Sequence, residues 1–275
     1  LAHSASDGES HGHHHQQGEI ALSHALPHID SNKLARLTNY GEYLEKHPPV
    51  HEVEILENSA WSCSHGVGRW KEDCGCNSGG FPDWNQVWRA PLREALDWLR
   101  DRVAPLFEER AAELLKDPWA ARDDYISVIL DRSPGSRDRF IARHAVRELA
   151  SEERVTLWKL MEAQRHAMLM YTSCGWFFDD LSGIETIQVI QYAGRVIQIS
   201  EEILGGGLEG PFLERLRKAT SNLPAHGDGA QVYEKWVEPA VVDLPKVVAH
   251  WAVSSLFQDY SANTRINSYT VDRED

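Results

Sequence analysis

The feature that most constrains the fold of this chain is a long irregular segment, residues 59–90, that is rich in glycine, cysteine and tryptophan. Segments of this length without secondary structure of their own are uncommon in compact domains, and they are usually functional or held in place by something. The character of the sequence changes where this segment ends. We therefore expect a functional site inside it and a different architecture on each side.

The residues before this segment have the pattern of the end of an α/β unit. Gly8 and Gly12 suggest a turn that follows a strand. Residues 18–46 suggest a helix with a break near Pro27, and residues 51–56 suggest a short strand. We therefore predict that residues 1–90 hold the last elements of an α/β fold together with its loops.

The residues after this segment are predicted to be helical. Ser151, Glu152 and Glu153 are typical of the first turn of a helix, and residues 205–207 are typical of a helix end. Helical apolar spacing is present in residues 91–116, 120–131, 138–149, 151–171, 185–204, 209–220 and 230–254. The predicted fold class is mainly α-helical, with a domain boundary at residue 90 and a helical domain over residues 91–275.

The composition of the chain argues against several classes of partner. Lys and Arg number 28 against 42 Asp and Glu, so the net charge of −14 argues against nucleic acid or an anionic membrane as a partner. No stretch approaches the roughly 20 apolar residues of a membrane helix, and the first residues do not resemble a signal peptide. Four cysteines are too few for a disulfide-stabilised domain of this size, which favours a reducing cytoplasm. Because the chain starts with Leu1, we expect it to begin inside a longer polypeptide.

The first candidate site is a pair of carboxylates at the predicted turn. Asp7 and Glu9 lie among several histidines at the end of the predicted strand, where α/β barrels place catalytic groups. Two carboxylates serve glycoside hydrolysis, one as acid/base and one as nucleophile. The alternative is a His-rich surface terminus or an adventitious metal-binding tail. The adjacent imidazoles of His13, His14 and His15 cannot all face one ion from a regular strand.

The second candidate site consists of three cysteines and a histidine in the irregular segment. Cys63 and His65 are two residues apart, as are Cys74 and Cys76. Thiolate and imidazole ligands together suit a zinc site with four ligands. The usual spacing is Cys-x-x-Cys, so reduced cysteines that line the loop and a redox function of Cys74 and Cys76 are the alternatives. We predict that no cofactor is required, and zinc at this cluster is the one candidate.

The third candidate site interrupts a good helical pattern with a glycine, aromatic residues and two acids. Trp176 is able to stack on a sugar ring, and Asp179 or Asp180 is able to accept hydrogen bonds from sugar hydroxyl groups. The alternative is that the aromatic residues belong to the hydrophobic core. The core assignment alone does not explain why two acids follow the aromatic residues so closely.

At these three clusters the sequence resembles glycoside hydrolase family 57, specifically bacterial members whose barrel precedes an uncharacterised helical C-terminal domain. Residues 7–14 are similar to the family's fourth conserved motif, which carries the aspartate acid/base. Residues 59–70 resemble its fifth motif, which lines the sugar site. Residues 174–177 resemble a Ser-Asp-Trp stretch of the family's branching enzymes. The insertion at residues 74–76 resembles the uncharacterised subgroup rather than the well-studied amylases.

The resemblance implies an incomplete (β/α)7 barrel, of which residues 1–90 are the last part, followed by a helical bundle domain. It implies retaining hydrolysis or glucan transfer on α-glucan-like carbohydrate, with Asp7 as acid/base. The nucleophile then lies on an N-terminal part of the same barrel, so these residues alone are not expected to catalyse turnover. The implied substrate-binding residues are Glu9, His13, Trp61, His65, Trp70, Trp176 and Asp179.

Two other functions stay open from the sequence. The first is a non-catalytic domain that binds carbohydrate or another protein and is held together by zinc at the Cys/His cluster. The second is a metal hydrolase in which Glu9 is the general base, which requires a metal with an open coordination position.

Overall fold

The computed structural model describes residues 3–13, 15–266 and 269–274, and the chain divides into two compact units, Leu1–Glu57 and Asn58–Asp275. His14, which belongs to the first candidate site, lies outside the described residues. The predicted boundary at residue 90 stays a prediction, because a division by packing does not identify which residues belong to a barrel.

The first unit contains a 3₁₀ turn (Gly8–Ser10) and the helices α1 (Gly18–Ser31) and α2 (Tyr40–Lys46). None of its described residues is buried, so this unit has no hydrophobic core of its own. α1 runs through Pro27, and the break predicted there is wrong. A proline removes one backbone hydrogen bond, which a helix of this length tolerates with a bend.

Two strands predicted in the first unit are not formed. Residues 3–7, before the Gly8 turn, and residues 51–56 have no strand assignment. A single strand cannot satisfy its backbone hydrogen-bonding groups without a neighbouring strand, and the described residues of this unit supply none. The mainly α-helical prediction is confirmed, whereas the barrel fragment is not shown.

The regular structure of the second unit is mainly helical. They are α3 (Arg89–Ala112), α4 (Pro118–Asp124), α5 (Ile126–Leu130), α6 (Pro134–His144), α7 (Ser151–Leu169), α8 (Ile184–Leu204), α9 (Glu209–Leu216), α10 (Gly229–Trp236) and α11 (Leu244–Ser254). Short 3₁₀ turns are Gly68–Trp70, Ser173–Trp176 and Glu238–Ala240. An antiparallel hairpin of β1 (Asn263–Ile266) and β2 (Tyr269–Asp272) follows α11, and it was not predicted.

Several helix ends have the causes expected from the sequence. α7 begins at Ser151, where the Glu153 carboxylate accepts a hydrogen bond of 2.9 Å from the Ala150 N–H. α8 ends directly before Gly205, as predicted. The predicted helix 230–254 is two helices, because the Pro239 turn interrupts it and the Asp243 side chain caps the N-terminus of α11.

Two hydrophobic clusters form the core of the second unit, and helix α3 contributes to both. Leu92, Leu96 and Val103 belong to the first cluster, with residues from α7, α8, α9 and α10. Phe107 and Ala111 belong to the second cluster, with residues from α4 to α7. The long α3 therefore connects the part of the unit next to the irregular segment with the part at its far end.

The segment that follows α7 is held tightly against α8. The Gly175 carbonyl accepts a hydrogen bond of 2.7 Å from the Thr186 hydroxyl. A Cβ atom at Gly175 would lie 2.3 Å from a Val189 methyl carbon, so only glycine fits there. This contact fixes the start of residues 177–180, which reach the site described below.

No helix in the described residues is long and apolar enough to cross a membrane.

Candidate metal centre

The irregular segment brings the four predicted metal ligands together. One ligand atom from each of Cys63, His65, Cys74 and Cys76 lies within 4.8 Å of the others. The Cys63 sulfur is 3.8 Å from the sulfurs of both Cys74 and Cys76, too far for a disulfide bond. The His65 Nδ1 is 3.6 Å from the Cys76 sulfur and 3.9 Å from the Cys63 sulfur. The cluster can bind a metal ion.

These separations match the edges of a tetrahedron around zinc. With Zn–S bonds of about 2.3 Å and a Zn–N bond of about 2.0–2.1 Å, tetrahedral geometry gives S···S of about 3.8 Å and S···N of about 3.6 Å. Both S···S distances from Cys63 are 3.8 Å, and the shorter S···N distance is 3.6 Å. The side chains are therefore arranged to receive a tetrahedral ion with little movement.

Turns in the loop explain how ligands so distant in sequence meet. After His65, a 3₁₀ turn over Gly68–Trp70 and a 3.0 Å bond from Cys74 N–H to the Glu72 carbonyl return the chain toward Cys63. Gly75 has a φ of 78°, a left-handed conformation in which L-residues are strained. That turn lets the side chains of both Cys74 and Cys76 reach the cluster.

The thiols of Cys63 and Cys74 differ in electrostatics. Burial opposes ionisation of Cys63, but N–H groups of Arg69 and His65 donate hydrogen bonds to its sulfur and lower its pKa to about 6. Burial raises the pKa of Cys74, and the neighbouring thiols Cys76 and Cys63 add to this effect. One thiolate is thus favoured by the fold, and a bound cation would favour loss of the proton from Cys74.

The metal-ligand loop is joined to the third candidate site by two arginines. The Arg69 guanidinium donates to the Phe177 carbonyl (3.0 Å) and lies 4.4 Å from the centre of the Phe177 ring. The Arg89 guanidinium, at the start of α3, donates to the Cys76 carbonyl (2.8 Å) and to the Phe178 carbonyl (3.2 Å). The second and third sequence clusters are therefore neighbours in space.

The acids that follow the aromatic residues hold loops together. Asp179 is 4% exposed, and its carboxylate accepts hydrogen bonds from the Ser78 N–H and hydroxyl. The Asp180 carboxylate accepts hydrogen bonds from Ser182, Ser221 and Asn222. Burial raises the pKa of Asp180, but these hydrogen bonds outweigh that effect and lower it. The predicted sugar contact of Asp179 is not supported, because its oxygens are already buried and bonded.

The three tryptophans predicted to bind sugar have different environments. Trp61 is 89% exposed, and its ring centre is 6.4 Å from that of Phe177. Trp70 is half-buried, and its indole N–H donates to the Ser173 carbonyl at 2.9 Å. Trp176 is 1% exposed and belongs to the first hydrophobic cluster. The burial of Trp176 favours its core interpretation over sugar stacking, whereas Trp61 presents a free aromatic face.

The remaining predicted residues lie in the first unit. Asp7 directly precedes the 3₁₀ turn Gly8–Ser10, its side chain makes no capping bond, and Glu9 lies within that turn. Asp7, Glu9 and His13 are all exposed. Their predicted catalytic and substrate-binding roles stay predictions.

Sequence reasoning missed the residues that surround the metal ligands. Arg69, Arg89, Ser78 and Asn222 each bridge segments far apart in the chain. Arg89 could have been noticed in the sequence, because it is a charged residue in the tryptophan-containing stretch at the start of α3. A cation that is buried among such residues needs a partner. Nothing in the spacing of Asn222 indicated that it would contact Asp179 and Asp180.

The comparisons with known proteins bear on the helical part of the chain. The chain has no match among curated proteins or among solved structures. The family model described as "Domain of unknown function (DUF3536)" matches residues 84–275. That range begins after the last metal ligand, Cys76, and includes every helix from α3 onwards. Because the match covers well over half of the chain, the protein belongs to the DUF3536 family.

Proposed function

We propose that this protein is the zinc-stabilised helical part of a retaining carbohydrate-active enzyme that acts on α-glucan-like substrates. The observation that carries the zinc assignment is the closed set of four ligands, Cys63, His65, Cys74 and Cys76. Three sulfurs and an imidazole nitrogen are a donor set that zinc prefers over magnesium, calcium or manganese. The proposed compartment is the cytoplasm, where thiols stay reduced.

The centre is assigned a structural role. A catalytic zinc keeps a coordination position for water or substrate, whereas a structural zinc takes all four ligands from the protein. The four side chains here can supply all four ligands of one ion. The metal-hydrolase hypothesis, which needs an open position and a base such as Glu9, is therefore the weaker one.

Metal analysis tests this assignment directly. The purified full chain is expected to contain one zinc ion per molecule, and Cys74→Ser is expected to lose it. Cys174→Ser is the matched control, because Cys174 is an exposed cysteine outside the cluster. Wild-type protein without stoichiometric zinc, or equal zinc loss in both variants, would refute the assignment.

The catalytic part of the proposal rests on Asp7 and on the resemblance to glycoside hydrolase family 57. Asp7 and Glu9 are exposed at a glycine-containing turn, so they are accessible to a substrate. None of the described residues of the first unit is buried, as expected for a segment that packs against a partner. We propose that this partner is the N-terminal part of the same barrel.

The proposed chemistry has two steps. A glutamate on the N-terminal part attacks the anomeric carbon while Asp7 protonates the leaving glycosidic oxygen. Asp7 then takes a proton from water or from an acceptor hydroxyl, which displaces the glutamate and restores the configuration. Among the predicted contacts, Trp61 is the exposed ring best suited to stack on a sugar face.

Turnover by the complete parent polypeptide tests the catalytic part. Asp7→Asn is expected to abolish hydrolysis or transfer of maltooligosaccharides, and the wild-type product is expected to keep the anomeric configuration by NMR. Asp30→Asn, at another exposed carboxylate of the first unit, is the control and should keep full activity. Retained activity in Asp7→Asn would contradict the assignment.

Sugar binding without any wild-type turnover would instead support a non-catalytic carbohydrate-binding domain, for which exposed Trp61 is the supporting observation.

A further inference from the structure

Two arginines beside the metal centre are buried, which is unusual for this residue type. Arg89 is 0% exposed and Arg69 is 5% exposed. Buried cations are destabilising unless hydrogen bonds and opposite charges compensate them. The hydrogen bonds to the carbonyls of Cys76, Phe177 and Phe178 are only part of that compensation. The Nε atoms of both arginines are buried without a hydrogen-bond partner in the part of the chain that the structure describes.

The groups that can compensate Arg89 are acidic side chains of the cluster and its surroundings. Burial lowers the pKa of Arg89 and the neighbouring Arg69 lowers it further, whereas Cys74, Asp179 and Asp73 act in the opposite direction. Arg69 touches the cluster through its main chain, because its backbone N–H donates a hydrogen bond to the Cys63 sulfur, whereas its guanidinium donates to the Phe177 carbonyl. The guanidinium of Arg89 reaches a ligand residue directly, through the Cys76 carbonyl, and the buried guanidinium of Arg69 belongs to a residue that adjoins the cluster.

A bound divalent ion would leave negative charge beside the arginines. Three thiolates and a neutral imidazole around a divalent cation leave one net negative charge on the complex. The buried carboxylate of Asp179 adds a second negative charge nearby, and Asp73 is a further acid that acts on Arg89. The guanidinium groups of Arg69 and Arg89 supply two positive charges, which offset the larger part of these three. Without the arginines, the complex and the buried Asp179 would lose this compensation.

We propose that Arg89 and Arg69 are positioning residues of the zinc centre, which neutralise the metal–thiolate complex and fix the carbonyl of a ligand residue. This inference rests on the proposed zinc site. Outer residues that hydrogen-bond or balance metal ligands contribute strongly to metal affinity. The Arg89 guanidinium does this for Cys76 through its carbonyl, and Arg69 hydrogen-bonds the Cys63 sulfur through its backbone N–H.

Zinc affinity of the full chain tests the proposal. Arg89→Met keeps the length of the side chain but removes its charge, and it is expected to weaken zinc binding by roughly 10–100-fold. Arg89→Lys keeps the charge and is expected to restore most of the affinity. Affinity is measured by competition with a chromophoric chelator, and Co²⁺ substitution reports thiolate coordination through its charge-transfer absorption.

The matched control is Arg93→Met, four residues further along α3. Arg93 also donates to a carbonyl of the loop, that of Trp70 at 3.3 Å, but Trp70 is not one of the four ligand residues and the ion-pair partner of Arg93 is Asp97. Its loss is expected to leave zinc affinity at the wild-type level. If Arg89→Met fails to fold, as judged by circular dichroism, Arg69→Met and Arg69→Lys test the charge of the second guanidinium, since both variants keep the backbone N–H that reaches Cys63.

The outcomes separate this inference from the proposed function. A wild-type chain that binds no zinc overturns the metal centre itself. A wild-type chain that binds zinc, with unchanged affinity in Arg89→Met and Arg69→Met, overturns only the role of the arginines. An equal loss of affinity in Arg93→Met and Arg89→Met also overturns it, because anchoring of the loop would then explain the effect. Weaker binding in the Met variants with rescue by Lys supports it.

Discussion

Removal of zinc from the centre is expected to destabilise the second unit by an amount that can be worked out from the loop it closes. An ion at the proposed centre would connect residues 63 and 76, and a crosslink that closes a loop of about 15 residues contributes roughly 3 kcal/mol by restricting the unfolded chain. For a unit of about 200 residues, 1 kcal/mol corresponds to about 2–4 °C in Tm. Chelation should therefore lower the Tm by roughly 6–12 °C.

Thermal unfolding followed by far-UV circular dichroism measures this effect. Wild-type protein is compared with and without a strong zinc chelator, and re-addition of zinc should restore the original Tm. Cys74→Ser should unfold at the chelated temperature whether or not zinc is present, while Cys174→Ser should respond like the wild type. A chelator-independent Tm in the wild type, or a decrease of equal size in both variants, would show that the ion does not constrain this loop.

Three further predictions concern residues outside the metal ligands. Asp180→Ala should lower the free energy of unfolding in urea by about 3 kcal/mol, because it leaves its buried hydrogen-bond donors without an acceptor. The pKa of Asp180 is lowered in the folded protein, so the carboxylate stabilises the fold at pH values above its unfolded pKa of about 3.9. That stabilisation is lost as the pH falls through the folded pKa. An Asp180→Ala variant as stable as the wild type at neutral pH would contradict the predicted loss. Gly66→Ala should destabilise the loop by more than the roughly 1–2 kcal/mol of its left-handed backbone, because the new Cβ would lie 2.4 Å from the Asn58 carbonyl oxygen. Gly79→Ala, with φ also positive but open space around it, should cost only the backbone amount, and equal urea midpoints would rule out the steric argument. Trp176→Ala should cost about 3–5 kcal/mol in urea unfolding as a core truncation, and carbohydrate affinity lost by Trp176→Phe without loss of stability would favour sugar stacking instead.

The sequence predicts the helices of the second unit and the metal ligands because both depend on local patterns. Residues 151–171 have helical spacing and a recognisable first turn, and α7 spans Ser151–Leu169. The metal ligands are identifiable because thiol and imidazole groups at short spacing have few other roles in a loop. The approach of Cys63 and His65 to Cys74 and Cys76 depends on left-handed glycines such as Gly75. The sequence shows the glycine but does not specify its conformation.

The contacts between distant segments could not be predicted in this way. The acids Asp179 and Asp180 have a pattern that fits sugar binding, yet they accept hydrogen bonds from Ser78 and Asn222. Such hydrogen bonds between distant segments depend on how the helices pack, and no local sequence pattern predicts them. The strand predicted at residues 51–56 was wrong for a related reason, since a strand depends on partners that the local sequence does not specify.

The position of Pro105 within α3 has a consequence for how the second unit unfolds. Val103 packs in one hydrophobic cluster and Phe107 in the other, so Pro105 lies where the two clusters meet along one continuous helix. Helix α7 crosses the same border, with Leu160 in one cluster and Ala167 in the other. Because α3 and α7 contribute residues to both clusters, unfolding of one cluster would also shorten helices that the other cluster needs. The two halves are thus expected to melt in one cooperative transition, and damage at the metal loop should lower the protection of amide hydrogens as far away as Phe107.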